Sequence, residues 1–516
     1  MKNQFGVVDI FAGPGGLAEG FSRVEVDGNS PFKVELSIEH EASAHRTLRL
    51  RSFIHQFGPS RPSFYIDMLN AGLIPDEEQL AREHPKKWAK AEHTAKRLTL
   101  APENRGEVES LLHPIINKYK NKTILIGGPP CQVYSLAGRS RNLSNPHYKG
   151  DDDHRHQLYR EYIHILDYLR PAVFIMENVK GMLSSQWNQQ SIFSIVRDDL
   201  ESIGDHEGYG YSLMTVSGLQ QRSQQSFLVE PDHRDFIVKS EQYGVPQRRH
   251  RIIIIGIRKD FAKNITDEQF AQGLLPDKSS EVHIESVLDD MPLLRSGLSK
   301  GEDTLENWQQ AIRESFRVLK NLSISPVFTE KLNRARSRFE SDSSTLVRSS
   351  AMPNNTKESC TTELLQWLIP VGLKSLPNNE TRSHIREDLT RYLFAAISAS
   401  ATGESPKAHE FPDELTPAHR NWKSGKFADR FRVQAEGRPS TTITSHISKD
   451  GHYYIHPDPV QCRSLTVREA ARLQTFPDDY VFMGNRTQQY VQVGNAVPPY
   501  LAMQIAKALC EYVLKN

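Results

Sequence analysis

Cysteine is scarce and scattered in this chain: Cys131, Cys360, Cys462 and Cys510 show no paired spacing. That argues against a disulfide framework and against a zinc module, and it fits a reducing compartment. Long hydrophobic runs are also missing. No segment approaches the ~20 apolar residues of a membrane helix, and the N-terminal apolar run from Phe5 to Phe11 is short and contains Asp9, so neither an anchor nor an export signal is expected. Neither sign of charge is in excess. Lys plus Arg number 64 against 63 Asp plus Glu, which excludes a globally basic surface and leaves any nucleic-acid contact to local clusters. Internal repeats and low-complexity tracts are absent as well. The remaining reading is a cytoplasmic globular chain of 516 residues. That exceeds the roughly 250–300 residues of a single core, so two domains are expected.

From Phe5 to about Gly256, compact β-rich runs alternate with helical stretches, the pattern of a parallel α/β sheet. Strands are predicted at Phe5–Ile10, Val34–Ile38, Thr123–Ile126, Ala172–Met176 and Arg251–Gly256. An insert from about Asp67 to Asn121, rich in Lys, Glu and Ala, reads as surface helices. From Ile257 to Arg438 the periodicity weakens and Ser, Asn, Thr and Pro increase, which predicts irregular structure with short helices, Thr381–Ser400 being the clearest. Thr466-x-x-Glu469 is a capping box, and a last helix is expected from about Pro499 to Val513.

Chemistry-bearing residues gather at the ends of the predicted strands. The first runs into Phe11-Ala12-Gly13-Pro14-Gly15-Gly16, a glycine turn that lets a ligand approach the backbone, although a plain tight turn has the same residues. Glu39 ends the second, where a carboxylate accepts hydrogen bonds from ribose hydroxyls or simply faces solvent. The third delivers Gly127-Gly128-Pro129-Pro130-Cys131-Gln132, a thiol on a stiff turn, against which stands a buried structural cysteine. After the fourth come Glu177-Asn178-Val179. A carboxyl group beside an apolar wall is able to donate a proton to a heterocycle nitrogen; a helix N-cap is the other reading. Arg249 and Arg251, at alternate positions before Ile252–Ile255, share a face if the strand begins that early, and would fork onto a phosphate or carbonyl or lie solvated at an edge. Asp151 to His156 mixes carboxylates and imidazoles but has no partner cluster, so no metal is expected.

Taken in this order, the motifs resemble the cytosine-5 DNA methyltransferase family. The resemblance is carried by Phe11–Gly16, Pro129–Gln132, Glu177–Val179, Gln247–Arg251, Arg463–Gln474 and Gln492–Val497. It implies a Rossmann-like α/β methyltransferase domain, S-adenosylmethionine as cofactor, and a smaller, irregular target-recognition domain. The expected boundaries are 1–260 for the catalytic domain, completed by 490–516, and 261–489 for DNA recognition. Carried over residue by residue, Cys131 is the nucleophile, Glu177 contacts the target cytosine, and Arg249 and Arg251 help to hold that nucleotide. Phe11, Gly13, Gly15, Gly16, Glu39, Pro130, Asn495 and Val497 line the cofactor pocket. A weaker motif at Asp153–Leu158 adds Leu158, and His40 stands where the family often places an aromatic side chain against adenine. The family's acidic residue for the adenine amine is obscured by the insert, with Asp67 as a candidate.

The chemistry accounts for these residue types. Cytosine C5 is a poor nucleophile, so a thiolate adds to C6 while a carboxyl group engages N3, and the resulting enamine takes up the methyl group. The base must leave the stack to react. Gln132, Ser135 and Arg139 are placed at the DNA, on a glycine- and serine-rich basic loop that runs to Gly150. Lys331–Arg338 and His419–Arg432 are further basic clusters, each equally readable as a solvated helix face. The expected partner is double-stranded DNA, with a cognate restriction endonuclease acting on the same sequence without direct binding. The protein is expected to be monomeric, without a membrane, and cytoplasmic on the nucleoid. An RNA cytosine methyltransferase, a non-catalytic DNA-binding module and a nicotinamide dehydrogenase are the competing readings.

Overall fold

The computed structural model describes residues 4–58, 61–130, 154–187, 190–204, 207–219, 231–322, 324–349, 363–417, 422 and 430–512. Cys131, Gln132, Ser135 and Arg139 lie outside the described residues, as do Cys360, the rest of the 135–150 loop and most of the His419–Arg432 cluster.

Eight strands form the central sheet. They are β1 (Phe5–Ile10), β2 (Phe32–Glu39), β3 (Ala95–Arg97), β4 (Thr123–Gly127), β5 (Val173–Val179), β6 (Tyr211–Met214), β7 (Ile237–Lys239) and, after the two-residue β8 (Gln247–Arg248), β9 (His250–Arg258). The order is β3-β2-β1-β4-β5-β9-β6, with β7 also on β9. The first five strands are mutually parallel, and β9 joins β5 antiparallel. All five predicted strands are present within three residues at each end. The short β3 was not anticipated: Ala, Lys and Arg have little strand preference, and pairing with Ser37–Glu39 overrides it.

Alternate residues of each central strand enter opposite cores, as a sheet covered on both faces requires. Val7, Ile124, Ile126, Ile175, Ile253 and Ile255 join one core with Leu17 and Phe21 of α1 (Gly16–Ser22). The other core combines Val8, Ile10, Ile38, Phe174 and Ile254 with three helices, α6 (Arg105–Tyr119), α7 (His154–Leu169) and α8 (Ile192–Ser202). Between β2 and β3, α2 (Ala42–His55), α3 (Ser63–Asn70), α4 (Glu77–Glu83) and α5 (Pro85–Thr94) close a separate apolar cluster around Phe53, Tyr65 and Trp88.

Residues beyond β9 correct one expectation. Beside short helices such as Asp267–Gln272 and Glu363–Leu368 stand three long ones, α9 (Leu305–Lys320), α10 (Pro326–Asp342) and α11 (Arg386–Thr402), of 16, 17 and 17 residues. Their apolar positions recur every three to four residues, as with Trp308, Ile312, Phe316 and Leu319, and they enclose a core with Phe411, Phe431 and Ile455. The predicted Thr381–Ser400 helix starts only at Arg386, because Ser383–His384 pair with Gly297–Leu298. On α10, Arg334 pairs with Glu330, and Arg338 with Asp342 and Asp458, so this basic cluster is partly neutralised.

The chain then returns through β10 (Ser440–Thr441), which pairs with β8, to α12 (Val467–Leu473), α13 (Arg486–Asn495) and α14 (Pro499–Tyr512). The Thr466–Glu469 capping box is formed. Buried ion pairs seat this return: Arg51 binds Glu19 at 2.6 Å and Asp479 at 2.6 Å, and Arg61 binds Asp479 at 2.6 Å. α14 lies against α1, where a Cβ on Gly20 would meet Ala502 Cβ at 2.5 Å. None of the described helices is long and apolar enough to cross a membrane.

Burial pulls the imidazole of His384 down to about 3 and that of His456 to about 4, with His452 and Arg463 respectively acting in the same direction. For Glu469 burial alone would raise the carboxyl, but Arg463 outweighs it and holds the group at about 2. The unfolded chain therefore takes up protons that the folded one refuses, first below the ordinary histidine value of about 6.5 and then below that of glutamate. Folding stability is predicted to be flat above pH 7 and to fall by on the order of 2 kcal/mol between pH 6.5 and 5.5 from the two histidines. Urea midpoints at pH 7.5 and 5.5 check this; equal midpoints would mean that these imidazoles protonate within the fold.

Candidate active site

In the sheet β1 and β4 are neighbours, and a Cβ on Gly127 would lie 2.2 Å from Ile10 O. The next described helices lie on opposite faces of the sheet, α1 in one core and α7 in the other, the arrangement that leaves a crevice at the strand ends of an α/β sheet. On one side, β1 continues through Phe11, Gly13 and Gly15 with φ of 54°, 56° and 97°, a left-handed course that suits the two glycines. Glu39 clamps this turn: its Oε2 accepts Gly13 N at 2.8 Å and its Oε1 accepts Glu41 N at 2.8 Å. Burial would raise the Glu39 carboxyl, but His40, 3.1 Å away, and these amides bring it below the usual range, while Glu39 raises His40. Val497 closes the turn from the far end of the chain, since a Cβ on Gly16 would sit 2.3 Å from Val497 O. Asn495 is exposed at the end of α13, and Leu158 is half-buried in α7 without a described contact to the turn. Space above Gly13 is open, with nothing within 4 Å of an added Cβ. An ionised carboxylate beside an open, amide-lined turn fits the ribose and amino-acid ends of S-adenosylmethionine.

Across the crevice the end of β4 meets the end of β5. Asn178 Nδ2 donates to Pro129 O at 3.3 Å, and a Cβ on Gly128 would stand 2.9 Å from Glu177 O and 3.1 Å from its Oε2. The Glu177 side chain is 13% exposed, and its Oε1 lies 3.0 Å from Arg251 Nε. That oxygen is nevertheless buried without a well-aligned hydrogen bond. Arg251 opposes Val179, and Ile253 opposes Glu177, so the pair forms diagonally on one face. The pocket thus offers a partly shielded carboxyl group, with an acceptor to spare, braced by a guanidinium.

Arg249 does something else. β9 begins at His250, one residue beyond it, so the alternation that would align both arginines is broken. The Arg249 side chain is 1% exposed and turned away, with Nη1 donating to Ile443 O at 2.9 Å and Gly494 O at 3.2 Å. Burial pushes its pKa down to about 9, and neighbouring Arg251 adds to the effect. Asp67 is also displaced from its expected place: it lies on the exposed side of α3, and β3, which fills the corresponding position in the sheet, carries no carboxylate.

Several residues here were not singled out from the sequence. Tyr480 donates through its hydroxyl to Pro14 O, which fixes the glycine turn from the returning segment. Asp9 is fully buried with neither oxygen partnered, and burial, aided by Glu39, raises its carboxyl well above the usual range. Gln247 and Gln474 are buried and bonded to one another at 2.8 Å. Gln247 and Gln474 stand inside quoted motifs, but nothing local distinguishes a packed glutamine from a solvated one. Among the described residues no group of three or more His, Cys, Asp or Glu is arranged to hold a metal.

A sequence profile for C-5 cytosine-specific DNA methylases matches residues 103–511. The chain belongs to this family. It is 30% identical to the type II methyltransferase M.Bpa9945I of Bacillus paralicheniformis, over 98% of this chain and 99% of that protein. Identity to the DNA (cytosine-5-)-methyltransferase M.ApeKI of Aeropyrum pernix is 27%, over 75% of this chain and 81% of that one. Among solved structures, a prophage-encoded E. coli protein described as a DNA modification methyltransferase superposes with a TM-score of 0.52 at 19% identity, covering 99% of this chain and all of that one. The protein is thus a DNA methyltransferase that uses S-adenosylmethionine.

Gly128→Ala is predicted to displace Glu177 and to slow methyl transfer about ten-fold or more, with thermal unfolding close to that of the wild-type methyltransferase. Incorporation of labelled methyl into DNA checks it. An undiminished rate would mean that Glu177 need not sit against this turn.

Proposed function

We propose that this enzyme methylates C5 of cytosine within a specific sequence of double-stranded DNA, with Cys131 as nucleophile and Glu177 as the acid that engages the base. The Glu177–Arg251 pair carries the proposal: a buried carboxyl group with an unused acceptor stands beside the turn that leads directly into Cys131. The cofactor would be held by Phe11, Gly13, Gly15, Gly16, Glu39, His40, Pro130, Leu158, Asn495 and Val497. When bound, S-adenosylmethionine supplies an electrophilic methyl group on a sulfonium.

The target cytosine is flipped into the pocket at a cost of a few kcal/mol. Cys131 adds to C6 as Glu177 delivers a proton to N3, which places enamine density on C5. Arg251 holds Glu177 in place and faces the same nucleotide. Once C5 carries the methyl group and S-adenosylhomocysteine is released, the C5 proton passes to water, the thiolate is eliminated as the C5–C6 double bond returns, and the N3 proton goes back to Glu177. Gln132, Ser135 and Arg139 are assigned to the DNA.

The catalytic domain comprises residues 1–260 with the C-terminal helices, and the recognition domain lies within 261–489, where the helical core of α9, α10 and α11 is its body. Several relatives are type II methyltransferases by name. We assign this enzyme, by that likeness, to the modification arm of a restriction-modification system, a monomer acting on the nucleoid with an endonuclease of the same specificity that it need not bind.

Cys131→Ala is predicted to abolish methyl transfer with the fold retained, and wild-type enzyme should form a stable covalent adduct on duplex DNA containing 5-fluorocytosine when the cofactor is present. Glu177→Gln should slow turnover by about 10²-fold or more. Both are read by labelled methyl transfer and by gel mobility of the adduct; turnover by Cys131→Ala, or no adduct with wild type, overturns the covalent route.

A further inference from the structure

Buried polar groups that the chemistry leaves unused converge on the end of α13. Gln474 Nε2 donates to Val493 O at 2.8 Å and Ala496 O at 3.1 Å. Gln247 Nε2 donates to Gln474 Oε1 at 2.8 Å and Leu473 O at 3.1 Å, while its Oε1 accepts Ile443 N at 2.8 Å. Arg249 Nη1 bridges the same two segments, Ile443 and Gly494. The three side chains are essentially inaccessible to solvent.

The backbones of those segments touch. A Cβ on Gly494 would lie 2.3 Å from the carbonyl carbon of Thr444 and 2.4 Å from Ser445 N, so only glycine allows the approach. One segment, 493–497, carries Asn495 and sets Val497 against Gly16 of the cofactor turn. The other, 440–445, is the strap by which the chain comes back from the helical domain, and Thr442 Oγ1 donates to Arg248 O at 2.6 Å. Both are tied to residues 247–249, which lead directly into β9 and its Arg251. Arg249 has only carbonyl acceptors here, and among the described residues no carboxylate forms an ion pair with it. Pulling either carbonyl away would strand a buried cation, so the two segments are costly to separate and move together.

We propose that Gln247, Gln474 and Arg249 form a joint through which cofactor binding sets the position of the strap beside the base pocket, and that Arg249 is a positioning residue and not one that touches the base. The proposal rests on the reading that Asn495 and Val497 wall the cofactor site. Coupling of this kind is reciprocal: whatever the cofactor does to the strap, a duplex held by the strap does to cofactor affinity.

Hydrogen exchange of the full-length enzyme, with and without S-adenosylhomocysteine and without DNA, tests it. In the wild type the ligand is expected to slow exchange at Ile443–Ser445 about five-fold or more, as well as at residues 11–16 and 495–497. In Arg249→Lys, which keeps the charge on a shorter side chain that falls short of the two carbonyls bridged by Nη1, the ligand should still bind and protect 11–16, while the effect at 443–445 disappears. Ligand binding to wild type with no change at 443–445 overturns the joint, and so does an undiminished effect in a folded Arg249→Lys. Protection absent from 11–16 and 495–497 overturns the cofactor reading itself and removes the basis of the joint. The wild-type measurement decides the matter even if the variant fails to fold.

Discussion

Everything in this enzyme hangs on the contact between β1 and β4. Two parallel strands packed until one backbone excludes a side chain from the other, with the next described helices on opposite faces of the sheet, make a cleft out of topology alone. The order of strands across the sheet then becomes an order of chemistry. β1 leads into the glycine turn that Glu39 clamps, β4 into Gly128 and Pro129, and β5 brings Glu177 and β9 the Arg251 that braces it. Small residues stand where neighbouring strand ends crowd together. Gly13 and Gly15 meet a conformational demand, whereas Gly127 and Gly128 yield space to Ile10 and Glu177.

A second constraint is the number of arginines taken out of water. Arg51, Arg249, Arg463, Arg468 and Arg472 are all buried, and each meets its acceptors differently. Arg463 forks onto Glu469, Arg472 onto Asp478 with Asp290 beside it, and Arg468 reaches three carbonyls. Such groups add little to net stability compared with an apolar core, but removing one partner leaves a charge that nothing can solvate. They therefore act as registers. Glu19, Arg51 and Asp479 allow one seating of the returning chain on α1 and α2, and that seating brings Tyr480 to Pro14.

Much of the catalytic half was legible in the sequence, because parallel strands buried on both faces leave short β-branched runs ended by glycine. The strands ending at Ile10 and Gly127 are of this kind, whereas β2 stops at the charged Glu39-His40-Glu41. The helical domain was less so, since α9 and α10 mix many charged residues into their apolar stripes and lie among stretches rich in Ser, Asn, Thr and Pro that blur the helical period. Arg249 and Arg251 show the limit most clearly. Two arginines one residue apart look equivalent, yet a strand that begins at His250 sends one to Glu177 and the other into a nest of carbonyls. The partners in that nest lie some two hundred residues away in the chain, and no local pattern announces them.

The seat of α14 against α1 has a consequence for how the enzyme comes into being. Gly20 has no side chain because Ala502 and Met503 occupy that space, and Leu501, Ile505 and Leu509 cover the face of the sheet to which β1 contributes Phe5 and Val7. At roughly 5–20 residues per second, a ribosome takes tens of seconds between making β1 and making α14. For that interval the nascent sheet carries a bare apolar stripe, which a chaperone must shield or a neighbouring polysome will find. The glycine turn likewise gains the wall that Val497 sets against Gly16 only after some five hundred residues have been made.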